Sequence, residues 1–416
     1  LKIAVIGSGI SGLTCAYLLR QVHEVTLFEK NERLGGHTAT RKIKHEGRTY
    51  NIDTGFIVFN DWTYPNFIKL LHKLGVASQP TRMSFSVSCS KTGLEYSGTS
   101  INSLFAQRKN LFNFKYLGML QDIVRFNKQA VLDLEKNLIP ESLTLGEYLK
   151  QNNYGEKFAS HYLVPMGSAI WSSTLQEMMD FPLLFFVRFF KNHGLLSIKN
   201  RPQWRVIQGG SRSYIQPMIK GMAENIIMGA DIARVIRTQD CVFLEHSDGS
   251  REKFDQVVFA CHSDEALALL ESPTAEEQEI LGAIPYRNNR VVLHTDDSIL
   301  PKAKLAWSAW NYHLHSDEAA PPTLSYNMNL LQGISSDTTF VVSLNPREQI
   351  PEDKILGEYQ YAHPVFTLEG IAAQNRWSDI SGENNTWYCG AYWRNGFHED
   401  GCVSGIRVAK GLGAPW

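Results

Sequence analysis

The chain opens on a short apolar run, Lys2 to Ile6, of the length and character of a strand buried on both faces. A glycine-rich turn follows at once, Gly7-Ser8-Gly9-Ile10-Ser11-Gly12. Leu13 to Arg20 then reads as a helix and Glu24 to Phe28 as a second strand, closed by Glu29. Thr63 to Leu74 has helical spacing and stops at Gly75, a C-cap residue. Met83 to Val87 and Gly93 to Tyr96 alternate like strands about a turn. From Leu104 to about Phe190 the pattern is mostly helical. Tyr116 to Asn137 predicts one long helix with a broad apolar face of Leu117, Leu120, Ile123, Val124, Val131 and Leu134. Thr144 and Glu147 stand at capping-box spacing in a helix predicted over Ser142 to Leu149.

Strand patterns then return. Val206 to Ser211 predicts a strand and a Gly209-Gly210 turn before a helix from Tyr214 to Ala223. Ile232 to Arg237, Val242 to His246 and Lys253 to Ala260 predict short strands, with Asp248-Gly249 as a hairpin turn. Arg290 to His294, Ala306 to Tyr312, Leu324 to Asn329 and Thr339 to Leu344 predict a second sheet, rich in aromatics (Trp307, Trp310, Tyr312, Tyr326). Tyr359 to Phe366 precedes a last return to the first sheet. Thr386 to Tyr392 predicts a strand whose end is marked by Gly390, and Gly396 to Gly405 leads into a final helix. The layout is that of an α/β protein. A discontinuous nucleotide-binding part is expected over 1–82, 200–285 and 376–416, and a substrate part over 83–199 and 286–375. The substrate part would be a mixed sheet with a helical insertion at about 104–190.

The first 55 residues carry the most chemistry. Strand, glycine turn, helix, strand, acid is the dinucleotide-binding fingerprint in its required context. Gly7 allows the tight turn, Gly9 lets backbone N–H groups approach a pyrophosphate, and Gly12 lets helix and strand pack closely. The helix N-terminus adds partial positive charge. Glu29 can accept hydrogen bonds from ribose hydroxyls. Arg33-Leu34-Gly35-Gly36-His37 supplies a second glycine pair for close backbone approach, with Arg33 as added charge.

Composition narrows the field. At 416 residues there is enough chain for two substantial cores. A formal net charge of −1 gives no support for nucleic-acid binding. Six cysteines form no C-x-x-C pair and no metal spacing, so reduced, mostly buried thiols in a cytoplasmic protein are expected, and no metal. The chain enters its first strand at once, and no signal peptide is expected. No run approaches the roughly 20 apolar residues of a membrane span. The nearest, Phe181 to Phe190, is broken by Pro182 and Arg188. It reads either as a core helix or as an apolar surface that admits lipid or touches the inner face of a membrane. There is no G-x-S-x-G, H-E-x-x-H or P-loop. Ser88-Cys89-Ser90-Lys91 fits S-x-x-K without its partner motifs.

Together with Asn51-Ile52-Asp53-Thr54-Gly55-Phe56, these N-terminal motifs resemble the FAD-dependent amine oxidase superfamily, which includes monoamine and polyamine oxidases, protoporphyrinogen oxidase and carotenoid desaturases. Those proteins carry R-x-G-G-R, whereas this chain has His37 at the last position. A narrower resemblance runs along nearly the whole chain, through Tyr64-Pro65-Asn66, Leu94 to Gly98, Pro165 to Ser172, Asn192 to Leu196, Ala260 to Asp264, Tyr361 to Pro364 and Gly396 to Gly401. It is to a bacterial family of NAD/FAD-binding proteins that accompany cyclopropane fatty-acid synthase-like methyltransferases. Some of its members are dehydrogenases of methylated fatty acyl chains in furan fatty acid synthesis.

The resemblance implies a Rossmann-type FAD-binding domain of the glutathione-reductase-like, amine oxidase type, and noncovalent FAD. The cofactor contacts it implies are Gly7, Gly9, Ile10, Ser11, Gly12, Glu29, Lys30, Arg33, Gly35, Gly36, His37, Thr54, Gly55, Phe56, Val235 (backbone toward adenine), Gly390, Glu399, Asp400 and Val403. The final helix would point its N-terminus at the flavin pyrimidine oxygen. His363, Tyr392 and Tyr312 are candidate catalytic or pocket residues. The activity implied is hydride transfer from an apolar, methyl-branched unsaturated fatty acyl substrate to flavin N5. A flavin-dependent amine oxidase and a non-redox flavin protein are the alternatives. Expected partners are a small lipid-like substrate and peripheral membrane lipid.

Overall fold

The computed structural model describes residues 1–171, 173–197, 200–315 and 323–416. Ser172, at the end of the Pro165 to Ser172 motif, lies outside the described residues. Two sheets organise the molecule. The first is five-stranded and wholly parallel, in the order 226–228, 24–29, 2–6, 256–259, 386–388. The second has seven strands in the order 355–364, 286–294, 341–344, 323–327, 310–314, 85–89, 94–97. It is antiparallel except where Trp310–Leu314 runs beside Phe85–Cys89. The fold is thus mixed α/β, with parallel and antiparallel sheets, as expected.

The parallel sheet is assembled from remote stretches, and its central strands Lys2–Ile6 and Gln256–Phe259 are buried almost throughout. Ile10–Leu19 packs on it as a helix. The final helix, His398–Gly411, crosses that helix closely. A side chain at Gly405 would place Cβ 2.4 Å from the Ser11 carbonyl oxygen, and one at Gly401 would lie 2.6 Å from Ile10. The Gly401-x-x-x-Gly405 spacing is what admits the contact.

Several predicted elements are redrawn. Lys253 to Ala260 is two strands, Arg251–Phe254 and Gln256–Phe259, in different sheets. Between them the Asp255 carboxylate accepts the Lys2 N–H at 2.6 Å, and the Asp255 N–H donates to the Lys2 carbonyl, so the chain changes partners there. The helix expected over Tyr214 to Ala223 is a 3-10 turn, Ser211–Tyr214, and a short helix, Ile215–Ile219, closed near Gly221 at φ +83°. The strand expected from Leu324 stops at Asn327, whose side chain caps a helix over Met328–Gln332. Thr40–His45 and Arg48–Asp53 form a hairpin that the pattern analysis did not separate from its surroundings, turning at Glu46-Gly47, both at positive φ.

The helical insertion follows its pattern with one rotation. Phe114–Glu135 is the long helix, but Tyr116, Met119, Phe126 and Ala130 are buried, while Leu117 and Val124, expected inside, are exposed. The aromatic residues take the inner positions. The Tyr116 hydroxyl donates to the Leu104 carbonyl, and Phe126 sits among Tyr148, Tyr154 and Phe158. The Thr144–Glu147 capping box is formed. The Phe181 to Phe190 run is a core helix, Leu183–Asn192, in which Phe186, Val187, Phe189 and Phe190 are buried and Arg188 faces out. No helix among the described residues is long and apolar enough to cross a membrane.

Because the Gly405 contact is to backbone, it cannot be relieved by a side-chain rotation. Gly405→Ala is expected to destabilise the protein by about 1–3 kcal/mol despite the higher helix propensity of alanine. Thermal unfolding should show a lower midpoint; an unchanged or higher one would contradict the close crossing.

Candidate functional site

Two glycine turns meet at the N-terminus of the helix Ile10–Leu19. Gly7 has φ +106°, and a Cβ there would strike the Ala260 backbone at 2.8 Å. A Cβ on Gly12 would lie 1.9 Å from the Gly7 carbonyl oxygen, so helix and turn are in backbone contact. A Cβ on Gly9 would meet nothing within 4 Å: the space above it is open. The second turn lies against the first. Gly35 N–H donates to the Ser8 carbonyl at 3.0 Å, and Gly36 sits over Gly9, where a Cβ would be 3.3 Å from its Cα. No side chain caps the helix at Gly9, and no acid sits in its first turn. The N–H groups of Ile10, Ser11 and Gly12 therefore begin a helix with its positive end unneutralised.

The charged residues around this cradle are already engaged. Glu29 is buried at the end of its strand. It accepts the Ser8 N–H (3.1 Å) and hydroxyl (2.5 Å) on one oxygen, and the Asn31 N–H and side-chain amide on the other. It thus holds the glycine turn. Arg33 staples its own loop, donating to the carbonyls of Gly36 (2.6 Å) and Thr38 (3.2 Å). Lys30 pairs with Glu265. The Val235 carbonyl accepts the Glu271 N–H at 3.1 Å.

Beyond the glycine turns, imidazole and phenol rings gather. His37 lies 5.1 Å from Tyr361, 5.2 Å from His363 and 6.3 Å from His262 between ring centres. His262 in turn stacks on Tyr286 at 4.4 Å. The Nε2 of His37 is buried with no hydrogen-bond partner. Thr54 fixes the wall: its hydroxyl is 2.9 Å from the Tyr361 hydroxyl and donates to the Ala39 carbonyl. Gly55 allows the His37 carbonyl to pass, since a Cβ would be 2.1 Å from that oxygen, and the Phe56 N–H then donates to the same carbonyl at 2.7 Å. His363 Nδ1 is 3.2 Å from the Asn289 amide.

Below this group the Asp53 carboxylate is fully buried. It accepts from the Thr40 hydroxyl, from both the N–H and hydroxyl of Ser211, and from the Gln332 amide. Burial pushes its pKa up to about 6.

The end of the chain closes the other side. The Gly390 N–H donates to the Ser404 hydroxyl, and the Tyr392 ring folds back so closely that a Cβ on Gly390 would sit 2.2 Å from it. Tyr392 packs on Trp393 (5.2 Å) and edge-on to Tyr286 (6.4 Å), with its hydroxyl buried and unpartnered. His398, the first residue of the final helix, stacks flat on Phe56 at 3.6 Å, and its Nε2 lies 2.8 Å from the Tyr214 hydroxyl. Glu399 accepts the N–H groups of Asn66 and Phe67 and so caps the helix Pro65–Leu74. The Asp400 carboxylate accepts the Phe397 N–H, and burial pushes its pKa up to about 7. Val403 is half-buried on the next turn.

The fold thus gathers His363 with His37 and Thr54, and sets Tyr392 two rings away through His262 and Tyr286. Tyr312 is elsewhere: it is buried in the core between the seven-stranded sheet and the helix Val164–Trp171, 6.5 Å from Phe85 between ring centres. Tyr361, His262, Tyr286 and His398 join the wall without having been singled out as site residues. A signal existed for two of them. Tyr361 and His363 share one face of a strand by the two-residue period, and His398 opens the final helix.

Three features fit the FAD expected from the resemblance. The space over Gly9 is open, the helix N-terminus behind it is uncapped, and the buried His37 nitrogen lacks a partner. Cys389, the cysteine nearest the last glycine, is fully buried with its thiol against that of Cys15, away from these groups. No group of three or more metal-ligating side chains occurs among the described residues.

Comparison with known proteins adds to this. The family model for flavin-containing amine oxidoreductases matches residues 10–327. AofH of Mycobacterium tuberculosis, whose name assigns it as a flavin-containing monoamine oxidase, is 23% identical over 266 residues, covering 60% of this chain and 54% of AofH. A 4,4'-diapophytoene desaturase of Staphylococcus aureus is 40% identical over 62 residues, 15% of this chain and 12% of that protein. The chain thus spans about half the length, or less, of these curated relatives. Among solved structures, a fatty acid isomerase from P. acnes superposes with a TM-score of 0.69 at 14% identity, covering 99% of this chain and 98% of its own. Cyclohexylamine oxidase from Brevibacterium oxydans superposes with a TM-score of 0.66 at 15% identity, covering 99% of each chain.

The packed histidines make the protein acid-sensitive. Burial pushes His398 down to about 3 and His363 to about 4, and burial with neighbouring imidazoles holds His37 well below its usual range. A depressed folded-state pKa gives stability that is complete above the unfolded value of 6.5 and is lost as pH falls toward the folded value. Each such histidine contributes a slope of up to about 1.4 kcal/mol per pH unit. Asp53 and Asp400, raised rather than lowered, act in the opposite sense over part of the same window. In FAD-free protein, His398→Gln should therefore flatten the loss of stability between pH 6.5 and 4 relative to wild type. Parallel curves from denaturant unfolding across that window would refute the assignment.

Proposed function

The chain belongs to the flavin-containing amine oxidoreductase family, and from that premise we propose that it is an FAD-dependent oxidoreductase acting on an apolar, methyl-branched unsaturated fatty acyl substrate. Bound FAD would supply two-electron oxidation. We assign it to the parts 1–82, 200–285 and 376–416, and the substrate to 83–199 and 286–375. In this reading the N–H groups at Gly9 to Gly12 and the Gly35-Gly36 turn hold the pyrophosphate, and Glu29 holds the ribose. His37 offers its free nitrogen to the cofactor, and the first turn of the final helix, Glu399 to Val403, faces the flavin ring. The buried Cys389 supports noncovalent binding. Six unpaired cysteines support a reducing compartment.

The observation that carries the substrate reading is the apolar wall between the helical insertion and the flavin end of the molecule. Phe189 stacks at 4.9 Å on Phe397, which immediately precedes the final helix, and Phe185 stacks at 5.3 Å on Phe366, just past His363. Trp171 packs behind Phe185 and Phe189. A small amine needs a carboxylate or an aromatic cage for its charge. The buried carboxylates nearby are engaged: Asp53 by Thr40, Ser211 and Gln332, Glu399 by a helix cap, and Asp400 by the Phe397 N–H. An acyl chain needs only apolar surface, at about 0.8 kcal/mol per buried CH₂. Tyr361 and His363 would then set the position of the reacting carbon, and the packed rings would exclude water.

Glu29 tests the cofactor assignment. Glu29→Gln, which keeps the shape but removes the charge, should weaken FAD binding by about ten- to a hundredfold, the worth of charge-assisted hydrogen bonds. Flavin titration measures this directly, and acid precipitation should leave all flavin in the supernatant. Unchanged affinity in folded protein, or yellow precipitate, would overturn the assignment.

The substrate is tested by anaerobic flavin reduction with methyl-branched unsaturated fatty acyl lipids against mono- and polyamines. Bleaching by a lipid is the expected result. Rapid bleaching by an amine with none by any lipid would favour the amine oxidase alternative. Double-bond movement without net bleaching would favour the non-redox reading.

A further inference from the structure

A surface remote in sequence from the glycine turns breaks the usual rule for aromatic side chains. Phe112 and Phe114 are 84% and 87% exposed, and Ile101 is 79% exposed. Leu111 and Leu117 beside them are also exposed, as is Leu305 at 52%. A phenylalanine buries some 150–250 Å² when it packs, so two left in water within three residues mark a contact surface. The positions are neighbours in space. The short helix Ile101–Leu104 packs against the turn Lys304–Ala306. Arg108 donates to the Asn102 side chain and to the Phe105 carbonyl, tying the next turn, Arg108–Phe112, to that helix. The rotation of the helix Phe114–Glu135 noted above leaves Leu117 exposed one turn further on.

The charge is mostly of one sign. No acidic residue occurs between Tyr96 and Gln121, or between Ser298 and Tyr312, while Arg108, Lys109, Lys115, Lys302 and Lys304 are all exposed. Among the described residues none of these five has an ion-pair partner; Lys304 lies over the Trp307 ring. The Glu95 carboxylate accepts the N–H groups of Lys302 and Ala303 at 2.9 and 2.8 Å and forms no ion pair among the described residues. Five cations against the one carboxylate of Glu95 leave a local excess of four positive charges on a chain whose net charge is −1.

We propose that this face, formed by 101–117 and 302–305, docks on an anionic lipid bilayer, with Phe112, Phe114 and Ile101 entering the interface and the five cations meeting the headgroups. Exposed aromatics set among lysines are the composition of a membrane-surface anchor. A protein partner fits less well, because the cores of protein interfaces are depleted in lysine. The inference stands on the surface itself and holds whether the substrate is a lipid or an amine.

Co-sedimentation of the FAD-loaded protein with phosphatidylcholine vesicles, with and without phosphatidylglycerol, tests it. Binding is expected only to the anionic vesicles, weakening with added salt. K109A/K115A should lower the partition by about fivefold per charge removed. F112S/F114S should lower it by at least about tenfold, with wild-type melting temperature, flavin absorbance and turnover of a soluble substrate. Equal binding by F112S/F114S, or no binding of wild type to either vesicle, would overturn the proposal. So would a wild-type dimer in size-exclusion chromatography that F112S/F114S dissociates without any vesicle binding, since the face would then join two copies of the chain.

Discussion

Backbone-to-backbone contact around one helix N-terminus governs this molecule. Gly12 touches the Gly7 carbonyl, Gly36 rests on Gly9, and Gly405 of the final helix touches the Ser11 carbonyl. The Gly12 and Gly405 contacts exclude a Cβ, and one on Gly36 would press on Gly9 at 3.3 Å. Together they draw three remote segments, residues 7–12, 35–36 and 401–405, to within a few ångströms of each other. The consequence is electrostatic as well as steric. With no side chain between them and no acid in the first turn, the N–H groups at the start of the helix keep their partial positive charge for a ligand.

The second constraint is the buried Asp53. Its carboxylate joins the hairpin 40–53, the turn before the 3-10 segment Ser211–Tyr214 and the helix Met328–Gln332 that grows from the seven-stranded sheet. A buried charge is tolerable only when its hydrogen bonds are complete, and here they are drawn from three parts of the chain. The carboxylate therefore specifies how those parts meet, at the cost of a raised pKa. Asp53 precedes Thr54-Gly55-Phe56, so the tie that positions the hairpin also positions the ring wall containing Tyr361 and His37.

That wall is built from groups that must stay neutral. His37, His262, His363 and His398 all have pKa values lowered chiefly by burial. Neutral imidazoles and phenols can orient a neighbour without contributing charge.

What could be read from the sequence was local. Strand, glycine turn, helix and acid occupy one continuous stretch, and their order and spacing dictate a single geometry, so the cradle is legible in the residues alone. The capping box at Thr144 and the hairpin turn at Asp248-Gly249 are legible for the same reason. Where an element depends on partners far along the chain, tertiary structure decided. Lys253 to Ala260 reads as one strand, yet splits because Asp255 meets Lys2. The apolar stripe of residues 117–134 has two solutions of similar hydrophobicity, and the larger rings of Tyr116 and Phe126 settled which faces inward. Tyr312 carries the same pattern as a pocket aromatic but is buried in the core. Tyr361, His262 and His398, separated by up to 136 positions, converge only because two sheets and a final helix fold onto one glycine turn. Such convergence leaves no periodic trace in the chain, since it is set by packing between elements and not by the rhythm within any one of them.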